Sequence, residues 1–270
     1  MNEKEEEEKK HTGDAKEMSF WEHLDELRGT IFRIAGGIIV CMILVFANRH
    51  LIFDVIIFGP TSSDFILYRG LNWLAKVWNI SSLNIEYFKL NFQNVTVSGQ
   101  FFTHINTSFW FGLVLSFPWI IFQLWRFVSP ALYDNERKAA TRAFSFSSLL
   151  FFTGVAVAYF MVIPLSVKFL GTYYVAENVE NIITIASYID MFVLLAISMG
   201  LIFQLPILIM MLSRIGIVRR RMLNKYRRHA IVGIVTLAAI VTPTADPFTM
   251  LVVSMPVWLL YEFSIYLCKK

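Results

Sequence analysis

The sequence predicts an all-α integral membrane protein with six transmembrane helices. Its 270 residues are 56% hydrophobic and only 16% charged, whereas a typical soluble domain is about 25% charged. The apolar residues are concentrated in runs of roughly 20 residues, the helix length that crosses the hydrocarbon core of a bilayer. Charged patches separate these runs. The pattern excludes a soluble globular domain, a disordered chain and a fibrous protein.

Six apolar runs follow one another along the chain, and each predicts a membrane span. They cover Gly29–Asn48, Phe101–Leu124, Ala143–Pro164, Tyr188–Leu212, Ala230–Val241 and Pro247–Cys268. The fifth run is short for a full crossing, and a turn of a few residues joins it to the sixth, so we expect a tight hairpin there. Four prolines interrupt the runs, and ordinary helix kinks are the simplest interpretation. These prolines are Pro118, Pro164, Pro206 and Pro256.

The basic residues predict how the chain is oriented in the membrane. Six spans return the chain to the side on which it started, and 19 of the 24 Lys and Arg lie on that side. The remaining five are Arg49, Arg69, Lys76, Lys89 and Lys168. Because cytoplasmic loops retain Lys and Arg, both termini are expected in the cytoplasm. The net charge of +4 therefore marks orientation and gives no reason to expect a nucleic-acid partner.

Outside the spans, two segments have a recognisable character. Residues 1–18 are polar and predict a charged cytoplasmic tail, which leaves residues 19–270 as one membrane domain with an outer loop at 49–100. Apolar residues recur in that loop at helical spacing. They are Leu71, Trp73, Leu74, Val77 and Trp78. Two interpretations stay open: a helix lying at the membrane interface, or a loop helix packed on the spans.

Two polar residues lie within the apolar runs, where each needs a partner. Glu262 interrupts the sixth run, and an intramembrane carboxyl is either a functional acid or a hydrogen-bonded structural residue. Gln204 lies in the middle of the fourth run, shortly before Pro206. Its amide can bond a neighbouring helix of this chain or form a contact site for a partner helix.

Two patches on the basic side contain carboxylates that orientation does not require. One is His23–Arg28, directly before the first span, and the other is Phe127–Arg137, between the second and third. A pair of carboxylates on one surface can bind a pair of guanidinium groups through bidentate hydrogen bonds. Helix capping and local salt bridges are the alternative interpretation.

The sequence gives no sign of an enzyme or a cofactor site. It contains no phosphate-binding glycine loop, no zinc-protease motif and no nucleophile elbow. The cysteines Cys41 and Cys268 are far apart and build neither a disulfide framework nor a metal site. We therefore expect a non-enzymatic protein without metal or cofactor.

Four motifs, in order along the chain, resemble those of the TatC family, the multispanning subunit of the twin-arginine protein translocase. His23–Arg28 is similar to the family's HLxELR signature, and Phe117–Arg137 is similar to its first cytoplasmic loop. Phe203–Pro206 occupies the place of an F-E-x-P-like motif, and Thr242–Asp246 resembles a TPPD turn. The resemblance extends from Phe20 to Leu267.

The resemblance implies a function and a fold. TatC proteins receive the twin-arginine signal peptides of folded cargo on the cytoplasmic face of a prokaryotic inner membrane. They work with single-span TatA- and TatB-type partners, use the proton-motive force and associate with further copies. The fold implied is a curved, glove-like bundle with two short final helices. The family's signal-binding glutamates correspond to Glu26 and Glu136, and the same surface would include Arg28, Phe127, Pro130 and Tyr133.

This sequence departs from the family pattern at three places. Gln204 stands where an acid is usual, so polar contact with a partner helix is expected there and a proton relay is not. The outer turn that contains Asp246 is one residue longer, and the first outer loop is also longer.

Three other function classes are alternatives to a translocase subunit. They are a small-solute transporter, which needs polar residues converging at the midplane, an intramembrane enzyme, and a scaffold without substrate.

Overall fold

The computed structural model describes residues 20–78, 90–131, 134–176, 181–214, 216–242 and 246–267. The predicted tail at 1–18 lies outside these residues. Within these residues the chain forms eleven α-helices: α1 Phe20–Ala47, α2 Ile66–Trp78, α3 Gly99–Leu115, α4 Phe117–Val128, α5 Asp134–Val157, α6 Ile163–Thr172, α7 Ile185–Ile202, α8 Leu205–Arg214, α9 Arg220–Lys225, α10 Arg227–Val241 and α11 Pro247–Leu267. The same residues include the π-helical segments Leu51–Ile57 and Ala158–Val162 and the 3₁₀ turns Gly59–Thr61 and Ser129–Ala131. They also include the short strands β1 Phe92–Gln93 and β2 Ile183–Thr184.

The first span is longer than the sequence predicted. Helix α1 has 28 residues, or about 42 Å at 1.5 Å per residue, whereas the hydrocarbon core is about 30 Å thick. It begins at Phe20 rather than Gly29 because the charged segment before the apolar run continues the same helix. The residues of the first carboxylate patch therefore stand on a rigid extension of the span.

The second span is broken in the middle. Helices α3 and α4 meet at Ser116 with a bend of 52°. Pro118 lies in the first turn of α4, where a missing backbone N–H leaves no hydrogen bond unmade. The Ser116 hydroxyl donates to the carbonyl of Leu113 at 3.0 Å. The kink that the sequence predicts at Pro118 is therefore a junction between two helices.

The third span does not end at Pro164, and the predicted limit is wrong. Helix α5 passes through the π-helical segment into α6, and the apolar stretch runs from Phe144 to Thr172. Pro164 lies in the first turn of α6. The wider π turn before it changes the hydrogen-bonding register there, so the helix continues past a residue that normally ends one.

The last three spans agree with their predicted positions. Helices α7 and α8 form one apolar stretch, Ile185–Ser213, interrupted at Phe203 and Gln204. Helix α10 has 15 residues, or about 22 Å, which confirms that the fifth span is short. Helix α11 packs against it and carries Pro256 inside.

The outer segment Leu51–Trp78 is long enough to cross a membrane, yet its contacts show that it turns back. Its mean hydropathy is 1.4, against 2.5 for Ile185–Ser213. The Tyr68 hydroxyl donates to Pro60 O at 3.2 Å and to Pro164 O at 2.7 Å, and the Tyr188 hydroxyl donates to Ile57 O. Both halves of the segment therefore contact the same end of the bundle, and we assign it to the outer loop.

Helix α7 lies at the centre of the core, with Ile189, Leu195 and Met199 fully buried. It packs against α3 and α5. Strand β1 pairs in parallel with β2, with Phe92 opposite Ile183. Since each strand immediately precedes a long helix, α3 and α7 enter the membrane from the same side.

Helices α1 and α3 approach so closely at Gly112 that a side chain would not fit. A Cβ there would lie 2.7 Å from Met42 N and 2.8 Å from Met42 Cα. Contacts through small residues are the usual way in which membrane helices gain van der Waals attraction.

We expect Gly112→Ala to destabilise the protein by about 1–3 kcal/mol, because the two helix backbones must separate. Thermal unfolding in detergent measures this as a lower midpoint. Gly36→Ala on α1 is the matched control, since its Cβ would meet nothing within 4 Å. Equal midpoints for the two variants would contradict the close packing.

Helix α2 presents an apolar face directly opposite the face that packs on the bundle. Tyr68 and Ala75 are buried, whereas Ile66, Trp73 and Val77 are exposed on the other side. Phe65, just before α2, stacks on Phe160, a half-exposed residue of the third span, with ring centroids 6.0 Å apart. The structure thus shows one face packed on the bundle, and a contact of the exposed apolar face with lipid stays a prediction.

A spin label at Val77→Cys should contact lipid, and one at Val97→Cys, a fully exposed valine of the same outer loop, should contact water. In nanodiscs, with both native cysteines replaced by alanine, we expect the first label to collide more with oxygen and the second more with a nickel chelate. Nickel accessibility at Val77 equal to that at Val97 would refute the lipid contact.

Candidate functional site

Helix α4 packs against both of the helices that carry the carboxylate patches. Trp119 Nε1 donates to Arg33 O at 3.0 Å, which fixes α4 against α1. Trp125 packs on Phe144 with ring centroids 5.0 Å apart, which fixes α4 against α5. Helix α4 therefore lies between the helix that carries Glu26 and the helix that carries Glu136. The sequence separation of these residues gives no hint of this arrangement.

On the α1 side, the structure describes the side chains that the resemblance assigns. Glu26 is half-buried, while Asp25 and Arg28 are exposed. The Arg28 guanidinium lies over the ring of Phe32, with Cζ 5.8 Å from the centroid. A half-buried carboxylate on a rigid helix loses less conformational freedom when it binds a cation than one on a mobile loop.

On the α4–α5 side, Phe127 is half-buried at the end of α4, and Pro130 is exposed in the 3₁₀ turn Ser129–Ala131. The backbone of Glu136 lies in the first turn of α5. The side chain of Glu136 and the whole of Tyr133 lie outside the described part of the structure. An acid in the first turn of a helix interacts favourably with the helix dipole.

Gln204 occupies the break between α7 and α8 and is bonded twice to α5. Ser147 donates its hydroxyl to Gln204 Oε1 at 2.6 Å, and Gln204 Nε2 donates to Ser147 O at 3.0 Å. The amide therefore fastens the broken span to its neighbour. Its remaining hydrogen-bonding capacity is one donor and one acceptor site.

Glu262 lies near the end of α11 and is paired with Arg227 at the start of α10. The distance from Arg227 Nη2 to Glu262 Oε2 is 2.7 Å, and 22% of the glutamate side chain is exposed. The pair closes the α10–α11 hairpin on the side opposite its short turn. Glu262 stands out in the sequence as an acid in an apolar run, whereas nothing in the sequence marks Arg227 as its partner.

Asp246 has a structural position at the other end of that hairpin. Its Oδ1 accepts from Thr249 N at 2.7 Å, and its carbonyl accepts from Met250 N at 3.0 Å. It thus caps the N-terminus of α11. Pro243 and its two following neighbours lie outside the described residues.

Asp190 is an acid that sequence analysis missed, although it stands inside the fourth apolar run. It is exposed on the first turns of α7, in a recess formed with α1 and α3. Asn106 Nδ2 lies 3.5 Å from Asp190 Oδ1. Among the described residues, no group of three His, Cys, Asp or Glu side chains is arranged to hold a metal ion.

Comparison with known proteins decides the family. The family model of the Sec-independent protein translocase protein (TatC) matches residues 22–256. The chain belongs to the TatC family. The family resemblance and the helical membrane fold class are thereby confirmed, while the orientation of the termini stays a prediction.

Relatives and solved structures match over nearly the whole length. The TatC of Blattabacterium sp. subsp. Periplaneta americana is 37% identical, covering 93% of this chain and 95% of that protein. The TatC of Deinococcus radiodurans is 31% identical, covering 92% of this chain and 85% of that protein. A crystal structure of the twin-arginine translocase receptor TatC in DDM has a TM-score of 0.70 at 27% identity, covering 92% of this chain and 100% of that one.

We expect the Ser147–Gln204 contact to stabilise the bundle measurably. Ser147→Ala and Gln204→Leu should each lower the unfolding free energy by about 1 kcal/mol, with a coupling of about 0.6 kcal/mol in a double-mutant cycle. Ser145→Ala is the control, because that exposed hydroxyl bonds only within its own helix, to Thr141 O. Zero coupling would show that the two side chains act independently.

Proposed function

We propose that this chain is the signal-receiving subunit of a twin-arginine translocase. In this proposal it binds the twin-arginine motif of folded cargo on the cytoplasmic face of the inner membrane, with both termini on that face. Single-span TatA- and TatB-type partners and further copies of the chain complete the complex, and the proton-motive force drives export.

The observation that carries the proposal is the position of Glu26. It is a half-buried carboxylate at an end of the bundle where basic residues predominate. Two planar guanidinium groups match carboxylates through bidentate hydrogen bonds, whereas an ammonium group bonds as a point charge. Carboxylates on α1 and α5, on either side of α4, would therefore discriminate Arg-Arg from Lys-Lys.

The apolar half of a signal peptide also needs a surface. A cavity of about 350 Å³ lies between α3, α5 and α7 and is lined almost entirely by apolar groups, including Trp110, Phe152 and Phe192. It faces away from the aqueous ends of the helices. This recess supports the proposal because the peptide's apolar segment could lie against it without meeting buried charge.

The test is a titration of purified protein with a fluorescent signal peptide that carries Arg-Arg, and with the same peptide carrying Lys-Lys. We expect Lys-Lys, Glu26→Ala and Glu136→Ala each to weaken binding about tenfold to a hundredfold, the loss of a charge-assisted bidentate contact. The protein should remain folded in both variants.

Asp25→Ala is the matched control, since Asp25 is the exposed acid next to Glu26 on the same helix. We expect it to change affinity by less than about twofold, as for a screened surface charge. Equal binding of both peptides would remove the receptor function. A loss with Asp25→Ala as large as with Glu26→Ala would leave only a general attraction between charges.

A further inference from the structure

The connection between α8 and α9 forms a basic cavity that signal binding does not explain. Its volume is about 640 Å³, and three consecutive arginines line it, with Ser213 and Asn224 supplying a hydroxyl and an amide. The arginines are Arg219, Arg220 and Arg221. Orientation in the membrane requires positive charges on this side but does not require them to converge on one cavity.

A defined backbone turn at Gly216 shapes one wall of the cavity. Gly216 has a φ of +85°, which a residue with a side chain adopts at a cost. It turns the chain so that the backbone N–H groups of Ile217 and Val218 both donate to Leu212 O, at 3.0 and 3.3 Å. This turn closes the end of α8 and starts α9 beside it.

The opposite wall is tied to α11. The Arg220 guanidinium lies over the ring of Tyr266, with Cζ 5.6 Å from the centroid. The Tyr261 hydroxyl donates to Leu223 O at 2.9 Å. The cavity is therefore held between two spans, and Arg220 is oriented by stacking.

No acid of this loop neutralises the three arginines. From residue 191 to residue 245 the sequence contains no Asp or Glu. Glu262, on the neighbouring α11, is engaged by Arg227 at 2.7 Å. Among the described residues, the ion pairs are this one and His50–Asp54 on the outer loop. Three guanidinium groups thus face one cavity without a counter-charge from those residues.

The cavity lies where lipid headgroups would be. Helix α8 ends the span Ile185–Ser213, and α10 re-enters the membrane after α9. Large apolar side chains are exposed next to the arginines, with Ile217 at 63% and Met222 at 41%. Apolar residues beside a basic pocket at the end of a span fit a molecule with acyl chains and a phosphate group.

We propose that this cavity binds the phosphodiester headgroup of an anionic phospholipid of the cytoplasmic leaflet. Arg219 and Arg221 supply hydrogen bonds and charge, Arg220 forms the stacked wall, and the acyl chains run along Ile217 and α8. The site is separate from the carboxylate surface on α1, α4 and α5. Loss of lipid binding at the cavity and loss of signal-peptide binding at that surface are therefore distinguishable results.

The test compares two double variants with the same change in charge. Arg219→Gln with Arg221→Gln removes two cavity arginines, whereas Lys225→Gln with Arg228→Gln removes two neighbouring cations, on α9 and α10, that do not line the cavity. Binding of fluorescent phosphatidylglycerol and phosphatidylcholine is titrated in detergent. We expect phosphatidylglycerol to bind at least about tenfold more tightly, and the cavity variant to weaken it about thirtyfold.

The control variant should change phosphatidylglycerol binding by less than about threefold, and thermal unfolding should show both variants folded. Equal loss in both double variants, or equal binding of the two lipids by the native chain, would overturn the proposal. Competition with inorganic phosphate distinguishes a lipid headgroup from a soluble phosphate as the ligand. Displacement by submillimolar inorganic phosphate would assign the cavity to a soluble anion and overturn the lipid assignment.

Discussion

The structure depends on one constraint: inside hydrocarbon, every backbone N–H and C=O must find a partner within the protein. Each interruption of a span meets this constraint locally. At Ser116 a side-chain hydroxyl bonds the freed carbonyl of Leu113. At the Phe203–Gln204 break the backbone continues with a tighter turn, since Gln204 N donates to Leu201 O at 2.9 Å and Leu208 N donates to Gln204 O at 3.1 Å. The bends that shape the bundle are thus tolerated where a polar side chain or an altered helix register is available.

The prolines illustrate how this constraint acts on sequence. Pro118 falls in the first turn of a new helix, where the missing N–H costs nothing, whereas Pro164 follows a π-helical turn within a continuous helix. Pro256 instead lies inside α11 and is buried. A proline in the sequence therefore does not by itself show whether the helix starts, continues or is interrupted there. What differs is the hydrogen-bonding register of the preceding turn, and that register is set by packing against neighbouring helices.

Because packing affects where a helix is interrupted, the sequence predicts some features of the fold and not others. The positions of the long apolar spans follow from length and hydropathy, because a bilayer imposes both on any chain that crosses it. The short helix α10 does not meet that length, and Leu51–Trp78 does. The continuation of the third span past Pro164 does not follow, because it depends on a π-helical segment. The turning back of Leu51–Trp78 does not follow either, because it rests on the contacts of Tyr68 and Tyr188 with distant residues.

The same limit applies to the candidate sites. Glu262 and Gln204 stood out as polar residues in apolar runs, but their partners, Arg227 and Ser147, have nothing unusual about them in the sequence. Asp190 carried the same signal as Glu262, so it could have been found by the same rule. The family motifs predict the carboxylate surface, and the packing of α4 against both α1 and α5 supports placing residues more than a hundred positions apart on it.

In the two proposals made for it, the basic end of the bundle serves two electrostatic purposes that sequence composition cannot separate. Charges that only orient the chain need no fixed geometry, since orientation depends on their number. Charges that recognise a ligand need fixed positions and no internal counter-ion. Arg227 is paired with Glu262 and closes a hairpin, whereas the arginines of the α8–α9 connection line a cavity with no acid in their loop. Glu26 carries the opposite charge on a different helix, and the two proposals therefore assign a cationic and an anionic ligand to separate surfaces.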